Sequence, residues 1–317
     1  MGRVSRAGLT ETAAWCVAGG ALGVTAASLL GRADWRLSLL SHFRLHLTAG
    51  CLLALPIARA ADTRGQSAVI AAALAMNLAD ILHHELSRSG AEARSDGNRG
   101  GPGTTIVSFN ALRHNPDKEK ALDWLALCDA DVLVILEVSS DWRKALLGRL
   151  DHTYPYRALG PDSQGDQIMI LSRHPLRRLA SHDQDDQGLL MVHVAHPGLP
   201  FTLIGVHPDH AIERRGLRPQ RALLELLAEA IRNTQGPVAV AGDFNTTPWS
   251  SEFRRFLEAS GLDVPLLRRG TFPSRLGWAG LPIDHVLAGQ GVRLRKIAPG
   301  PDVGSDHRPV VARLEHG

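Results

Sequence analysis

The chain has 317 residues, 44% hydrophobic and 21% charged, which suits one large domain with an added segment, or two domains. The net charge of +3 lies entirely in residues 1–99, with 10 Lys and Arg against 7 Asp and Glu; residues 100–317 carry 25 of each. A neutral larger part with only 5% aromatics lacks the basic footprint and stacking residues of a dedicated nucleic-acid grip, and leaves room only for a local patch.

Three cysteines (Cys16, Cys51 and Cys128) are too few and too scattered for a disulfide framework or a zinc site. All three read as small buried hydrophobes, so they do not reveal a compartment.

From Thr12 to Gly31 no residue is charged. Twenty helical residues span about 30 Å, the thickness of a bilayer core. Two shorter apolar runs come next, LHLTAGCLLALPIA between Arg44 and Arg59, and GQSAVIAAALAMNLA between Arg64 and Asp80. Core helices are the alternative for these two, and a cleaved signal peptide for the first. Three runs in series with Arg at their edges favour a small membrane anchor of about three transmembrane helices over residues 1–86. The flanking Arg residues are nearly balanced, so the positive-inside rule decides little about orientation. With an N-in start, three spans place the remainder of the chain outside the cytoplasm, at the cell (inner) membrane. HHE at 83–85 fits a snorkelling helix end better than a metal site. Residues 87–103, SRSGAEARSDGNRGGPG, read as a flexible linker.

Beyond Thr104 strands and helices alternate. TTIVSFN reads as a strand, PDKEKALDWLALC as an amphipathic helix, and DVLVILEV as a buried strand ending in Glu137. SSDWRKALLGRL has Ser and Asp at a helix start. QIMILSR, LLMVHVAH and FTLIGVH are strands, and LRPQRALLELLAEAIRNT is a long helix with Leu223, Leu224, Leu227 and Ile231 on one stripe. PVAVAGDFN is a buried strand, SSEFRRFLEASG a helix ended by Gly261, and IDHVLAG and HRPVVARLE close the chain. The pattern predicts an α/β domain over residues 104–317 with two sheets flanked by helices.

Several strands end on a polar side chain. Asn110 ends IVSFN, Glu137 ends LVILE, His207 ends LIGVH, and Asp243 and Asn245 end VAVAGDFN. Asp284 follows Ile283, and Asp306 and His307 open the last strand. Residues i and i+2 of a strand face one side, so Asp243 and Asn245 are expected to point together, with Phe244 in the core and Gly242 letting the backbone pass close to the site. Each such residue alone is a cap or turn former. Together they place Asn, Asp, Glu and His where sites of α/β sheets gather. Carboxylates without thiolates suit Mg2+ or Mn2+, and His near carboxylates suits proton transfer. That combination fits hydrolysis at phosphorus better than acyl transfer. No nucleophile elbow and no GxxxxGK[ST] loop is present.

The ordered series SFN, LEV, GVH, GDFN, IDH, GSDHRP resembles the endonuclease/exonuclease/phosphatase superfamily over roughly residues 104–314. The apolar N-terminus followed by GDFNTTPWS is similar to a bacterial membrane-anchored subgroup. The resemblance implies the DNase I-like four-layer α/β sandwich. It implies a metal site at Glu137, Asp306 and Asn110, and a catalytic His307 oriented by Asp284. Asp243 and Asn245 are then implied to position water and stabilise the transition-state oxygens, and His207 to be an acid or phosphate contact. Many members carry Gln before the metal-binding Glu, whereas this chain has Leu136.

The expected activity is that of a membrane-anchored, divalent-metal-dependent phosphodiesterase or phosphatase. Its partners are a phosphate-ester substrate, lipid headgroup or nucleic acid, and the bilayer; no protein partner is inferred. An anchored nuclease is one alternative. The other is a non-catalytic binding protein with a relic site, which predicts loss of a core residue that this chain retains.

Overall fold

The computed structural model describes residues 6–31, 34–60, 64–92, 103–161, 167–179, 188–209, 217–262 and 269–317. The chain divides into two compact units, residues 1–96 with 249–251, and residues 97–248 with 252–317.

In the first unit the apolar runs form α1 (Arg6–Leu29), α3 (Arg44–Ala60) and α4 (Arg64–Glu92). A short α2 (Trp35–Ser41) precedes α3, started by the Asp34 carboxylate accepting the Arg36 backbone N–H at 2.8 Å. The stretches Glu11–Leu29 and Gly65–Leu82 are long and apolar enough to cross a bilayer. Among the described residues, the 17-residue α3, with Pro56 inside it, is shorter than these two stretches. Cys16 is exposed on α1 instead of buried, while Cys51 is buried as a small apolar residue.

The interior of this unit is polar at one level. Arg44 is fully buried, with its Nε 3.3 Å from Asp80 and an Nη1 bond to Asn77 Oδ1 at 3.3 Å. Asn77 in turn donates to Thr25 Oγ1 at 2.9 Å, which links α1, α3 and α4. Burying an unpaired guanidinium costs several kcal/mol, so this cation has to sit beside its carboxylate. Helix α4 continues into the residues read as linker; residues 93–102, and the side chains of the HHE stretch, lie outside the described residues.

The second unit contains, in order, β1 (Thr104–Asn110), α5 (Lys118–Leu127), β2 (Val132–Val138), α6 (Ser140–Leu150), β3 (Tyr156–Leu159), β4 (Gln167–Ser172) and β5 (Leu176–Arg178). Then come β6 (Leu189–Val194), β7 (Phe201–Val206), α7 (Arg218–Asn233), β8 (Val238–Asp243), α8 (Ser251–Ser260), β9 (Asp284–Ala288), β10 (Val292–Pro299) and β11 (Val310–His316). They build a six-stranded sheet, β10-β11-β1-β2-β4-β3, and a five-stranded sheet, β5-β6-β7-β8-β9.

Two-residue periodicity turns the continuous apolar runs into two buried faces. Val132, Val134 and Leu136 of β2 point between the sheets, where they meet Leu203, Ala239, Ala241 and Val286 of the facing sheet. Leu133 and Ile135 point outward into a second core with Leu122, Leu125, Trp142 and Leu146 from α5 and α6. On the far side, Ile204, Val240 and Leu287 pack against Leu223, Leu227, Ile231 and Phe253 of α7 and α8. The order helix, sheet, sheet, helix is the four-layer sandwich. At about 1.5–3 kcal/mol per buried large side chain, these three clusters are its main driving force.

Strands β3, β5 and β10 have no counterpart among the expected strands, and each is an edge strand. An edge strand needs little apolar patterning and tolerates charge, as in LRR and VRLRKIAP. The last strand begins at Val310, so Asp306 and His307 sit in the loop before it rather than in the strand. Gly242 also has a different reason from the expected one. A Cβ there would fall 1.9 Å from the Val206 carbonyl oxygen, so glycine permits the close approach of β7 and β8, not of a ligand.

Candidate active site

One end of the sandwich collects the C-terminal ends of β1, β2, β7 and β8, because β1 runs parallel to β2 and β7 parallel to β8. The antiparallel β9 and β11 bring their N-terminal ends to the same place. Strand parity then selects the side chains. Asn110 follows Ile106 on β1 and Asp243 follows Ala239 and Ala241 on β8, so both continue the inter-sheet face beyond its apolar part. Asp284 shares the parity of Val286. His285 has the opposite parity and packs outside on Phe244 and Phe253, with its Nε2 3.0 Å from Thr246 O.

Two residues reach the site only by leaving regular strand geometry. Glu137 has φ +56° beside a register break in β2, which turns its carboxylate back toward Asn110. Asn245 has φ +51°, so Asp243 and Asn245 are not two teeth of one strand as expected. Instead the Asn245 backbone N–H bonds Asp243 Oδ1 at 2.8 Å and its carboxamide Nδ2 donates to Pro208 O at 2.8 Å. Such left-handed backbone costs about 1–3 kcal/mol at each non-glycine residue and persists only where surrounding bonds hold it.

The side chains form one network. Asn110 Nδ2 donates to Glu137 Oε1 at 2.8 Å and to Asp243 Oδ2 at 3.1 Å, while its Oδ1 accepts the Leu112 N–H. Glu137 Oε2 accepts the Arg113 N–H at 3.0 Å. His307 Nδ1 lies 2.9 Å from Asp284 Oδ2, and its Nε2 is 3.6 Å from Asp243 Oδ2. His207 Nε2 is 3.8 Å from both Glu137 Oε1 and Asp243 Oδ2. Asp306 joins through Ser305, whose Oγ lies 3.4 Å from Asp306 Oδ1, donates to Asn110 O at 2.8 Å and accepts the His307 N–H.

Asp243, Asp284 and His307 are buried, while Glu137 and His207 keep about a fifth of their side chains open to solvent (18% and 22%). Burial alone would lower the His307 pKa, but Asp284, Asp243 and Asp306 outweigh it and raise it to about 10. In this arrangement His307 is an imidazolium at neutral pH, oriented by Asp284.

Its linkage to stability has a definite sign. A pKa raised from 6.5 to about 10 adds stability that is fully present below pH 6.5 and is lost as pH rises through about 10. In chelator, the melting temperature of the wild type is expected to fall across that window more steeply than that of Asp284→Asn. Parallel curves for the two proteins would refute the assignment.

The carboxylates suit a hard divalent cation. His207 Nε2 is buried without a hydrogen-bond partner and faces two of them, and the Asn110 amide bridges Glu137 and Asp243. Asp243, Asp284 and His307 also offer ligand atoms within 4.8 Å of one another, but the Asp284–His307 bond already occupies that trio. A second group, Asp131, His174 and His196, is equally close. There His196 Nδ1 accepts the N–H of Gly198 and Leu199, so its ring proton sits on Nε2 and that nitrogen has no lone pair for a cation.

Several supports carried no sequence signal of their own. The Arg113 N–H is a backbone group. Thr271 Oγ1 accepts the N–H groups of Ile283 and Asp284, and the Phe272 ring lies 4.8 Å from that of His307. Ser305 was legible in principle, since a Ser just before an Asp-His pair is a local backbone-bonding residue.

The two-sheet α/β sandwich has the DNase I-like architecture, with a cluster of carboxylate, carboxamide and imidazole groups at its strand ends. The chain belongs to the endonuclease/exonuclease/phosphatase family, whose model matches residues 107–307. Members of that family hydrolyse phosphoester bonds.

A UPF0294 protein of Vibrio campbellii is 24% identical over 65% of this chain and 75% of its own length. A UPF0294 protein of Vibrio cholerae is 37% identical over 102 residues, so the match spans only 33% of that relative. Among solved structures, Staphylococcus aureus beta toxin aligns at 18% identity over 66% of this chain and 99% of its own, with a TM-score of 0.51. A mutant of the same toxin, with a TM-score of 0.52 and 16% identity over 67% of this chain and 99% of its own, holds bound magnesium ions. A family protein of Bacteroides thetaiotaomicron aligns at 17% identity over 68% and 98% of the two chains, with a TM-score of 0.54.

Proposed function

We propose that this protein is a membrane-anchored, divalent-metal-dependent phosphodiesterase acting on a lipid headgroup. The observation that carries the chemistry is the continuous network from Glu137 through Asn110 and Asp243 to His307 and Asp284. The N-terminal helices through α4, which ends at Glu92, serve as the anchor, and residues 104–317 as the catalytic domain. Two apolar helices support the anchor, and the charge balance and scarcity of aromatics support a substrate other than a long nucleic acid.

Glu137 and Asp306 would hold Mg2+ or Mn2+, with the Asn110 amide fixing the Glu137 carboxylate. When bound, the cation supplies charge neutralisation at a phosphoryl oxygen. Asp243, with Asn245 beside it, orients the attacking water and takes its proton. His307 directs an N–H toward a phosphoryl oxygen, where negative charge grows in the transition state. His207, at the open side, gives a proton to the departing oxygen.

The test is a substrate panel presented to the full-length protein in detergent or vesicles with Mg2+ or Mn2+. Hydrolysis of a phosphoinositide or sphingomyelin headgroup exceeding that of plasmid DNA and RNA is the expected result. Faster cleavage of DNA or RNA would replace the lipid assignment by a nuclease, and no turnover of any phosphoester would leave only a binding role.

A further inference from the structure

Gln220 lies in the first turns of α7 and is 1% exposed. Its carboxamide Nε2 donates to two successive carbonyl oxygens, Phe244 O at 3.1 Å and Asn245 O at 3.2 Å. These carbonyls flank the one left-handed residue of the site loop, Asn245 at φ +51°. The next carbonyl, Thr246 O, is held by buried His285. Three consecutive peptide groups just beyond β8 are thus fixed by two buried side chains from neighbouring elements. Arg221, the next residue on α7, forms a bidentate pair with Glu252 of α8 at 2.6 and 2.8 Å, so the helix that carries Gln220 is itself tied down.

The orientation of a peptide plane sets the direction of the adjoining Cα–Cβ bond. Freed from Gln220, a non-glycine residue at φ +51° relaxes toward negative φ. That relaxation would swing the Asn245 carboxamide off Pro208 and withdraw the Asn245 N–H from Asp243 Oδ1. We propose that Gln220 is a positioning residue for the reaction: by holding the carbonyls of Phe244 and Asn245 it keeps Asn245, and through it Asp243, in working geometry. This rests on the phosphoesterase reading of the same site. A simple packing bond between helix and loop would explain the burial of Gln220, but a packing role needs neither the pairing with two successive carbonyls nor the strained residue between them.

The experiment is a double-mutant cycle in the full-length protein, with Gln220→Met, Asn245→Ala and the combination, each assayed with Mg2+ on the best substrate of the panel. Met keeps the volume and removes the donors. Gln220→Met is expected to lower kcat by roughly 10- to 100-fold, the scale of an ångström-level misplacement, with KM little changed. In the Asn245→Ala background the same change is expected to cost clearly less, because the carboxamide is already gone and only the residue-245 N–H bond to Asp243 is left to lose. An equal loss in both backgrounds, or a lower melting temperature with unchanged kcat, would overturn the assignment in favour of packing.

If the wild type turns over no phosphoester, the activity reading fails by itself, and the crystal structure of Gln220→Met decides the positioning claim. Loss of the positive φ at residue 245 and of its bond to Pro208 O would uphold it. Retention of both would overturn it.

Discussion

Asp243→Asn is expected to lower kcat by about 10²- to 10⁴-fold while the protein stays folded. The carboxylate is fully buried and accepts from both Asn110 Nδ2 and the Asn245 N–H, within 3.6 Å of His307 Nε2. An amide has the same shape but only one acceptor oxygen. Whichever way it turns, its NH2 faces either the Asn110 amide or the Asn245 N–H, and a donor then meets a donor. The substitution also removes one of the charges that hold His307 as an imidazolium, so it weakens two contacts with the transition state at once. Steady-state kinetics beside a thermal melt checks this. A kcat within a few-fold of wild type would remove Asp243 from the reaction.

Metal removal is the second large effect expected. In EDTA the activity should fall to background and return on adding Mg2+ or Mn2+, because the residues that crowd this end of the sandwich are mostly acidic. Glu137, Asp243, Asp284 and Asp306 are opposed there by His307 and His207. Two imidazole rings carry too little positive charge to neutralise four carboxylates as phosphate, itself an anion, approaches. Glu137→Gln should raise the Mg2+ concentration needed for half-maximal activity, whereas Asp284→Asn, which acts on His307, should leave it nearly unchanged. Undiminished hydrolysis in excess chelator would sink the metal-dependent mechanism.

Residues with strong local signals were readable without coordinates. Short, β-branched apolar runs such as VLVILEV fit strands buried on both faces, and the helices between them carry one apolar stripe each, so the sandwich follows from run length and periodicity. Asn110, Asp243 and Asp284 were legible as well, because each continues the inter-sheet parity of its strand beyond the last apolar residue. The edge strands β3, β5 and β10 were not, since one partner and one open side impose no strict pattern on LRR or VRLRKIAP.

Glu137 and Asn245 mark the limit more sharply. Parity in the sequence puts Glu137 on the outer face of β2 and pairs Asn245 with Asp243 as strand neighbours. Both assignments give way to a positive φ that no local propensity of Glu or Asn demands. The bonds that sustain it come from far along the chain: Asn110 and the Arg113 N–H for Glu137, Gln220 for Asn245. Local sequence determined the strands, their faces and the kinds of chemical group at their ends, because burial and backbone geometry act within a few residues. Only the tertiary structure decided where those groups meet, because holding a strained backbone and a crowd of like charges together takes contacts between segments that are neighbours in space alone.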